Sequence, residues 1–144
     1  MNRIAVALLM AVALVGCGSS TPVTPTPEPS PSPSPAELMR VLVKAEVRQG
    51  GQVTTGVQAR TDFKVSGTPT ACFQGGLQVD CGVIPFWDQS VTGGQGTRCS
   101  KYGSQSSNTL TWNCAEPGDV TIKVCAQDFD RRELGCDDVS LFIG

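Results

Sequence analysis

Acidic residues are the densest source of possible chemistry in this sequence. They crowd the segment 128–138, as Asp128, Asp130, Glu133, Asp137 and Asp138. Paired carboxylates can serve a glycosidase, and clustered carboxylate oxygens suit Ca²⁺. Asp128, Asp130 and Glu133 are therefore a weak candidate calcium site, although their spacing does not match an EF-hand loop. Arg131 and Arg132 lie in the same segment, which favours a solvated turn with local ion pairs.

The sequence lacks the residues on which most catalytic sites depend. Histidine is absent, which removes the commonest general base and the commonest metal ligand. No Gly-x-Ser-x-Gly motif places a nucleophilic serine. The formal net charge of −2 provides no basic field for nucleic acid. We therefore expect a protein that is not an enzyme, has no cofactor and binds no nucleic acid.

Seven cysteines are the other reactive group. Cys17 stands apart, and an even set of six remains, as is typical of a disulfide framework in an exported domain. No Cys-x-x-Cys pair is present and no histidine could complete a zinc site, so we expect no structural metal. The later six are Cys72, Cys81, Cys99, Cys114, Cys125 and Cys136.

The sequence opens with a short apolar run, from Ile4 to Gly16, after the single charge of Arg3. This run is shorter than the about 20 residues that span a bilayer, and its length is typical of a signal peptide. Its end, Leu-Val-Gly-Cys at 14–17, resembles the lipobox of bacterial lipoproteins. The resemblance implies a signal peptide at 1–16 and a lipidated Cys17 that anchors the protein in a membrane. The alternative is an ordinary signal peptide with an incidental cysteine.

The residue after the lipobox bears on localisation. Gly18 stands where inner-membrane lipoproteins often carry Asp, so the resemblance favours the outer membrane or the cell surface. A Pro/Ser/Thr-rich tether follows to residue 37, with seven of the ten prolines within 22–35. Proline excludes helix and sheet there and favours polyproline II, in which fourteen residues reach about 40 Å. We interpret this segment as a spacer; a ligand for a Pro-binding domain is the alternative.

From residue 38 to 144, apolar and polar residues alternate in short runs separated by glycine pairs. This pattern predicts several strands and an all-β sandwich. The predicted strands cover 41–47, 62–66, 77–83 continuing to 87, 109–113, 120–126 and 139–143. The predicted turns are Gly50-Gly51, Gly75-Gly76, Gly93-Gly94 and Pro117-Gly118.

The last two strands can be paired in one register. If Val120 faces Leu141 and Ile122 faces Val139, both apolar pairs point inward. The same register sets Cys125 opposite Cys136 on the outer face, which predicts a disulfide. The other four cysteines allow three pairings, of which local closure favours Cys72–Cys81 and Cys99–Cys114. On this reasoning Cys99 lies in a loop.

Three short motifs resemble bacterial immunoglobulin-like and PKD-like domains. They are Phe-Trp-Asp at 86–88, Leu-Thr-Trp at 110–112, and the Pro-Gly turn with its alternating strand at 117–124. Gln89-Ser90 replaces the Phe-Gly-Asp-Gly stretch of PKD domains, so the immunoglobulin-like family is the closer resemblance. It implies a single immunoglobulin-like β-sandwich at 38–144, stapled by disulfides.

Aromatic residues suggest where such a domain could bind. Trp87 and Trp112 are interpreted as core residues rather than as a carbohydrate platform. Tyr102, in a Gly/Ser-rich segment, is the better candidate for an exposed ligand contact. We expect a lipid-anchored, non-catalytic envelope or surface module, either structural or binding a protein or carbohydrate. The alternatives are a small disulfide-rich inhibitor or toxin-like protein, and a weak carbohydrate-binding or Ca²⁺-binding module.

Lipidation at Cys17 is directly testable. Cells that express the full chain and take up a palmitate analogue should label the wild type. A Cys17→Ser variant should carry no label, because the serine hydroxyl is a much weaker nucleophile than the thiol. Equal labelling of the two proteins would show that Cys17 is not the acylated residue.

Overall fold

Residues 38–94 and 98–144 are described by a computed structural model, and their regular structure is all β-strand. These two ranges contain no helix long and apolar enough to cross a membrane. Cys17, the signal peptide and the Pro-rich tether lie outside them. The strands are β1 (Arg40–Gln49), β2 (Gln52–Val53), β3 (Gly56–Val57), β4 (Phe63–Gln74), β5 (Leu77–Val79), β6 (Phe86–Gly94), β7 (Cys99–Tyr102), β8 (Thr109–Cys114), β9 (Gly118–Gln127) and β10 (Glu133–Ile143).

The strands form two sheets. The first has the order β2-β1-β4-β8-β7, with β5 also paired to β4, and the second has the order β3-β10-β9-β6. Every pairing is antiparallel except that of β3 with β10. Apolar side chains from both sheets join in one buried cluster, which includes Val47, Phe63, Val65, Trp87, Trp112, Ile122, Val124 and Ile143. The expected all-β fold is confirmed, and two sheets around one core are consistent with a β-sandwich.

The hairpin of β9 and β10 has the predicted register. Val120 pairs with Leu141, and Cys125 pairs with Cys136. Val120, Ile122 and Val124 are buried on the inner face, so the intervening residues of β9 face outward. Cys125 is itself almost fully buried although it belongs to the outer face, where its sulfur is bonded to that of Cys136.

Each of the three disulfides joins two segments that are neighbours within the same sheet or at its edge, and the cysteine pairs are those that the sequence favours. Cys125–Cys136 links β9 to β10, with Cα atoms 4.1 Å apart. Cys99–Cys114 links β7 to β8 with a Cα separation of 4.0 Å. The location predicted for Cys99 was wrong, because this residue opens a strand and lies directly opposite Cys114. The third bond joins Cys72 on β4 to Cys81, just beyond β5.

A β-bulge explains why Cys72 faces the core. The pairing of β1 with β4 shifts between Leu42 and Val43, which leaves Thr70 as the extra residue. The Thr70 hydroxyl donates a hydrogen bond of 3.1 Å to the carbonyl oxygen of Leu42. One extra residue reverses the alternation of a strand. Cys72 is therefore buried, although it is an odd number of residues away from the buried Phe63 and Val65.

The structure differs from the predicted strands at two places. The expected strand at 77–83 ends at Val79, and all three residues of β5 are exposed. The chain turns away there because Gly82 has a φ of +55° and its amide donates to the Asp80 carboxylate at 3.0 Å. Gly93 and Gly94 are not a turn but the end of β6. A methyl group at Gly94 would lie 1.9 Å from the carbonyl oxygen of Asp119, so this close approach requires glycine.

The open edges of the two sheets meet where β10 passes β1. A methyl group at Gly135 would come within 1.8 Å of the Val41 carbonyl oxygen, so the two backbones are in direct contact. Nearby, the amide of Ala45 donates to the Asp137 carboxylate at 2.8 Å. This bond satisfies a backbone donor that would otherwise be free on an edge strand. One member of the acidic segment therefore has a structural role.

One polar side chain crosses the core. Gln89 is completely buried, and its amide nitrogen donates to the carbonyl oxygen of Val65 on the opposite sheet at 3.0 Å. Its amide oxygen accepts the indole N–H of Trp112, also on the opposite sheet, at 2.8 Å. Buried polar groups are costly unless they are hydrogen-bonded. Gln89 therefore fixes how the two sheets face each other.

The indole of Trp87 fills the space that a side chain at position 67 would occupy. A methyl group at Gly67 would lie 2.5 Å from Cζ3 of Trp87 and 2.7 Å from Cγ1 of Val124. The absence of a side chain on β4 thus lets the tryptophan of β6 pack directly against the opposite backbone. Interiors are packed too tightly to absorb an added methyl group here without movement.

Gly67→Ala should therefore destabilise the domain by about 1–3 kcal/mol through overpacking. Gly56→Ala is the matched control, because a methyl group there has only one neighbour, 3.8 Å away, and the φ of Gly56 does not lie in the left-handed region. We expect the control to change the free energy of unfolding by less than about 0.5 kcal/mol. Urea denaturation of the three proteins measures both values, and equal midpoints would contradict the packing described for Trp87.

Candidate functional site

Three connections come together at one end of the domain. They are residues 75–85, 103–108 and 128–132, which we call the loop end. The carbonyl oxygen of Gln105 accepts the Trp87 amide at 2.7 Å, and its side-chain oxygen accepts Nη1 of Arg131 at 2.6 Å. The guanidinium of Arg131 also lies 3.6 Å from the centre of the Phe86 ring. These contacts hold the connections 103–108 and 128–132 against each other and against the start of β6.

Large apolar side chains are exposed at the loop end. Val83 is 89% exposed, Phe129 81% and Leu77 73%, and each belongs to or borders one of its connections. The Phe129 ring meets the Phe86 ring edge to face, with centroids 6.4 Å apart. Phe129 is thus oriented by an aromatic neighbour while most of its surface stays in solvent. Large exposed apolar side chains are typical of interaction sites when they lie on one surface, and these three belong to connections at the same end of the domain.

The β9–β10 turn is organised by Asp128. Its Oδ1 accepts the backbone amides of Asp130 at 2.8 Å and Arg132 at 2.9 Å. Its Oδ2 lies 3.7 Å from Nε of Arg132. Arg131 adopts a left-handed φ of +64°, which is uncommon for a residue with a side chain. The carboxylate of Asp128 therefore replaces the regular hydrogen bonds that the chain loses in this turn.

The structure does not bring Asp128, Asp130 and Glu133 together as a cation site. Asp130 pairs with Arg132, and Glu133 pairs with Lys123 at 3.3 Å. Within the described ranges, the one group of potential metal ligands that converges within 4.8 Å is Cys125, Glu133 and Cys136. The two sulfurs of that group are joined in a disulfide, which has no thiolate to offer a metal. The acidic segment is instead arranged as the local ion pairs that Arg131 and Arg132 suggest.

Tyr102 lies at the end of β7 rather than within a loop, and it is 59% exposed. It pairs with Thr111 of β8 on the outer face of the first sheet. Trp87 and Trp112 are both buried in the core, as the sequence predicts. Gln89 was not among the predicted core or site residues, although its position two residues after Trp87 on the same strand is a signal that it faces inward.

Comparison with known proteins gives no match: neither a protein-family model nor a curated protein is similar to this sequence.

The organisation of the turn by Asp128 can be tested by substitution. Asp128→Ala removes the acceptor of two backbone amides and should lower stability by about 1 kcal/mol. Such a loss lowers the melting temperature of a domain of this size by about 4–8 °C. Asp128→Asn keeps an acceptor oxygen in place and should lose less. Thermal unfolding followed by circular dichroism measures both, and a rise in melting temperature on adding Ca²⁺ to the wild type would contradict this assignment.

Proposed function

We propose that this protein is a lipid-anchored, non-catalytic binding module of the immunoglobulin-like class, displayed on a Pro-rich tether. The observation that carries the proposal is the collection of exposed apolar side chains at the loop end. The lipobox-like Leu-Val-Gly-Cys at 14–17 supports the anchor, and Gly18 supports the outer membrane or cell surface. The proposed partner of the loop end is another protein.

The strand order supports the immunoglobulin-like assignment. Immunoglobulin constant-type domains place strands A, B, E and D in one sheet and C, F and G in the other. Without the short strands β2, β3 and β5, the remaining seven strands can be lettered A to G along the chain. The order β1-β4-β8-β7 is then A-B-E-D, and the order β6-β9-β10 is C-F-G. Trp87 on β6 then occupies the place of the buried tryptophan of strand C. The B–F disulfide of antibody domains has no counterpart, because Gly67 of β4 and Val124 of β9 pack against this tryptophan instead.

The loop end has the features of a protein-binding surface. In binding modules built on this scaffold, the connections at one end contact the ligand while the sheets stay rigid. Aromatic and arginine side chains dominate the energy of protein interfaces. Phe129 is the exposed aromatic side chain, and Arg131 is already held by Phe86 and Gln105 before any partner binds. Such preorganisation lowers the entropy cost of association.

Site-specific photocrosslinking tests this proposal in intact cells. A photoreactive phenylalanine analogue at position 129 should yield a discrete crosslinked protein. The same analogue at position 142 is the matched control, because Phe142 is also an exposed phenylalanine but lies at the far end of β10. Adding Val83→Asp should abolish the crosslink from position 129, since a charge would then be buried in the interface.

Two results would contradict the proposal. One is the same crosslinked species from positions 129 and 142, which would indicate contact without a defined site. The other is no crosslink from position 129 in cells where the protein is correctly exported.

A further inference from the structure

A row of side chains crosses the outer face of the first sheet, perpendicular to its strands. In the strand register, Arg48 of β1 lies opposite Lys64 of β4, and Lys64 lies opposite Thr111 of β8. Thr111 in turn lies opposite Tyr102 of β7. We call these four residues the cross-strand row. Its members share one face, because Phe63, Val65 and Trp112 beside them point into the core. Three strand spacings separate its ends, a distance of about 14 Å.

Two cations stand directly opposite each other in this row. Like charges in that position destabilise a sheet by up to about 1 kcal/mol, so their pairing needs a reason. Arg48 lies 3.3 Å from Glu46, but Glu46 also pairs with Lys44 at 3.0 Å. Hydrogen bonds from Lys44 and Arg48 hold the pKa of the Glu46 carboxyl below its ordinary value. Lys64 makes no ion pair with any carboxylate of residues 38–94 and 98–144.

Charge is distributed unequally between the two outer faces. The first sheet presents mainly cations there, in a protein whose net charge is negative. The cations are Arg40, Lys44, Arg48 and Lys64, against the carboxylates of Glu46 and of Asp62, which directly precedes β4. The second sheet presents Asp88, Asp119, Asp138 and Glu133 against Lys123. An anionic ligand is therefore attracted to the face that carries the row.

The cation pair borders a groove of about 520 Å³. Arg48, Lys64 and Thr111 line it, together with the turn of Gly50 and Gly51. Asp62 also lines the groove, but its carboxylate already accepts the Asn113 side-chain amide at 2.7 Å. The volume lies within the range of small-ligand sites, which is about 300–1,000 Å³. The groove therefore offers an anionic group the two cations of Arg48 and Lys64 and the one carboxylate of Asp62, an excess of one positive charge.

The other end of the row offers a flat aromatic surface. Tyr102 lies two strand spacings from Lys64, about 10 Å. The hydroxyl of Thr111 lies between them, and those of Ser66 and Thr109 occupy the next row. A stacking ring, several hydroxyls and two cations match a chain of sugar rings that carry carboxylates.

We propose that the cross-strand row binds an acidic polysaccharide, with a sugar carboxylate at Arg48 and Lys64 and a sugar ring stacked on Tyr102. The site does not depend on the loop end or on lipidation. Four cations are too few to compete for nucleic acid against a net negative charge.

Affinity electrophoresis of the full chain, purified from membranes in neutral detergent, tests the proposal. Native gels that contain polygalacturonate should retard the wild type, and gels that contain neutral dextran should not. Lys64→Gln should weaken the apparent affinity by about fivefold, as expected of one lost ion pair. Tyr102→Ala should weaken it to a similar extent through lost stacking. Added salt should reduce the retardation.

Lys123→Gln is the matched control, because it removes the same charge from the outer face of the second sheet. It should leave the affinity within about twofold of the wild type, since it lies on the opposite face of the domain. Equal loss in Lys64→Gln and Lys123→Gln would reduce the binding to net charge and overturn the proposal. Equal retardation by dextran, or no retardation by polygalacturonate, would overturn it as well.

Discussion

The inward alternation of β9 is the constraint on which the rest of the domain depends. This strand lies between β10 and β6, so one alternation sets the pairing of both neighbours. A slip by one residue would move Val120, Ile122 and Val124 to the solvent face and is therefore strongly disfavoured. The same register fixes Cys125 opposite Cys136 and brings Val124 against Gly67. The Cys125–Cys136 disulfide thus forms in the register that burial of the apolar side chains already determines.

Gln89 adds the specificity that apolar burial alone does not supply. Apolar faces tolerate sliding, whereas an amide that must meet the Val65 carbonyl and the Trp112 indole accepts one arrangement. The strand that carries it also carries Trp87, whose backbone amide is bound by Gln105 of the loop end. Gln89 and Trp87, two residues apart on β6, therefore set the packing of the sheets and the position of the loops. The exposed side chains of the loop end thus rest on a rigid support.

The alternation of apolar residues was sufficient to predict β1, β8, β9, the last part of β10 and the hairpin register with its Cys125–Cys136 bond, whereas the other two disulfides were favoured by local closure. It failed where tertiary contacts decide. The apolar residues at 77–83 alternate without being buried, and the strand predicted at 62–66 continues to Gln74 through a bulge at Thr70 that the alternation did not reveal. Tyr102 was predicted to be exposed, and it is, but the row it shares with Lys64 depends on strand order. That order joins segments far apart in the chain, and no local pattern encodes it.

The closeness of β10 to the first residues of β1 has a mechanical consequence. Leu38 enters the domain beside the loop end, since Arg40 pairs with Phe73 and the Val41 carbonyl touches Gly135. A load between the proposed lipid anchor and the proposed partner of the loop end would enter and leave the domain at the same end. The bonds Cys72–Cys81 and Cys125–Cys136 lie beside that path, next to Val41 and Gly135 in the register and in the sequence. Tension would therefore bypass most of the two sheets and pass from β1, through its noncovalent contacts, to segments that two disulfides reinforce.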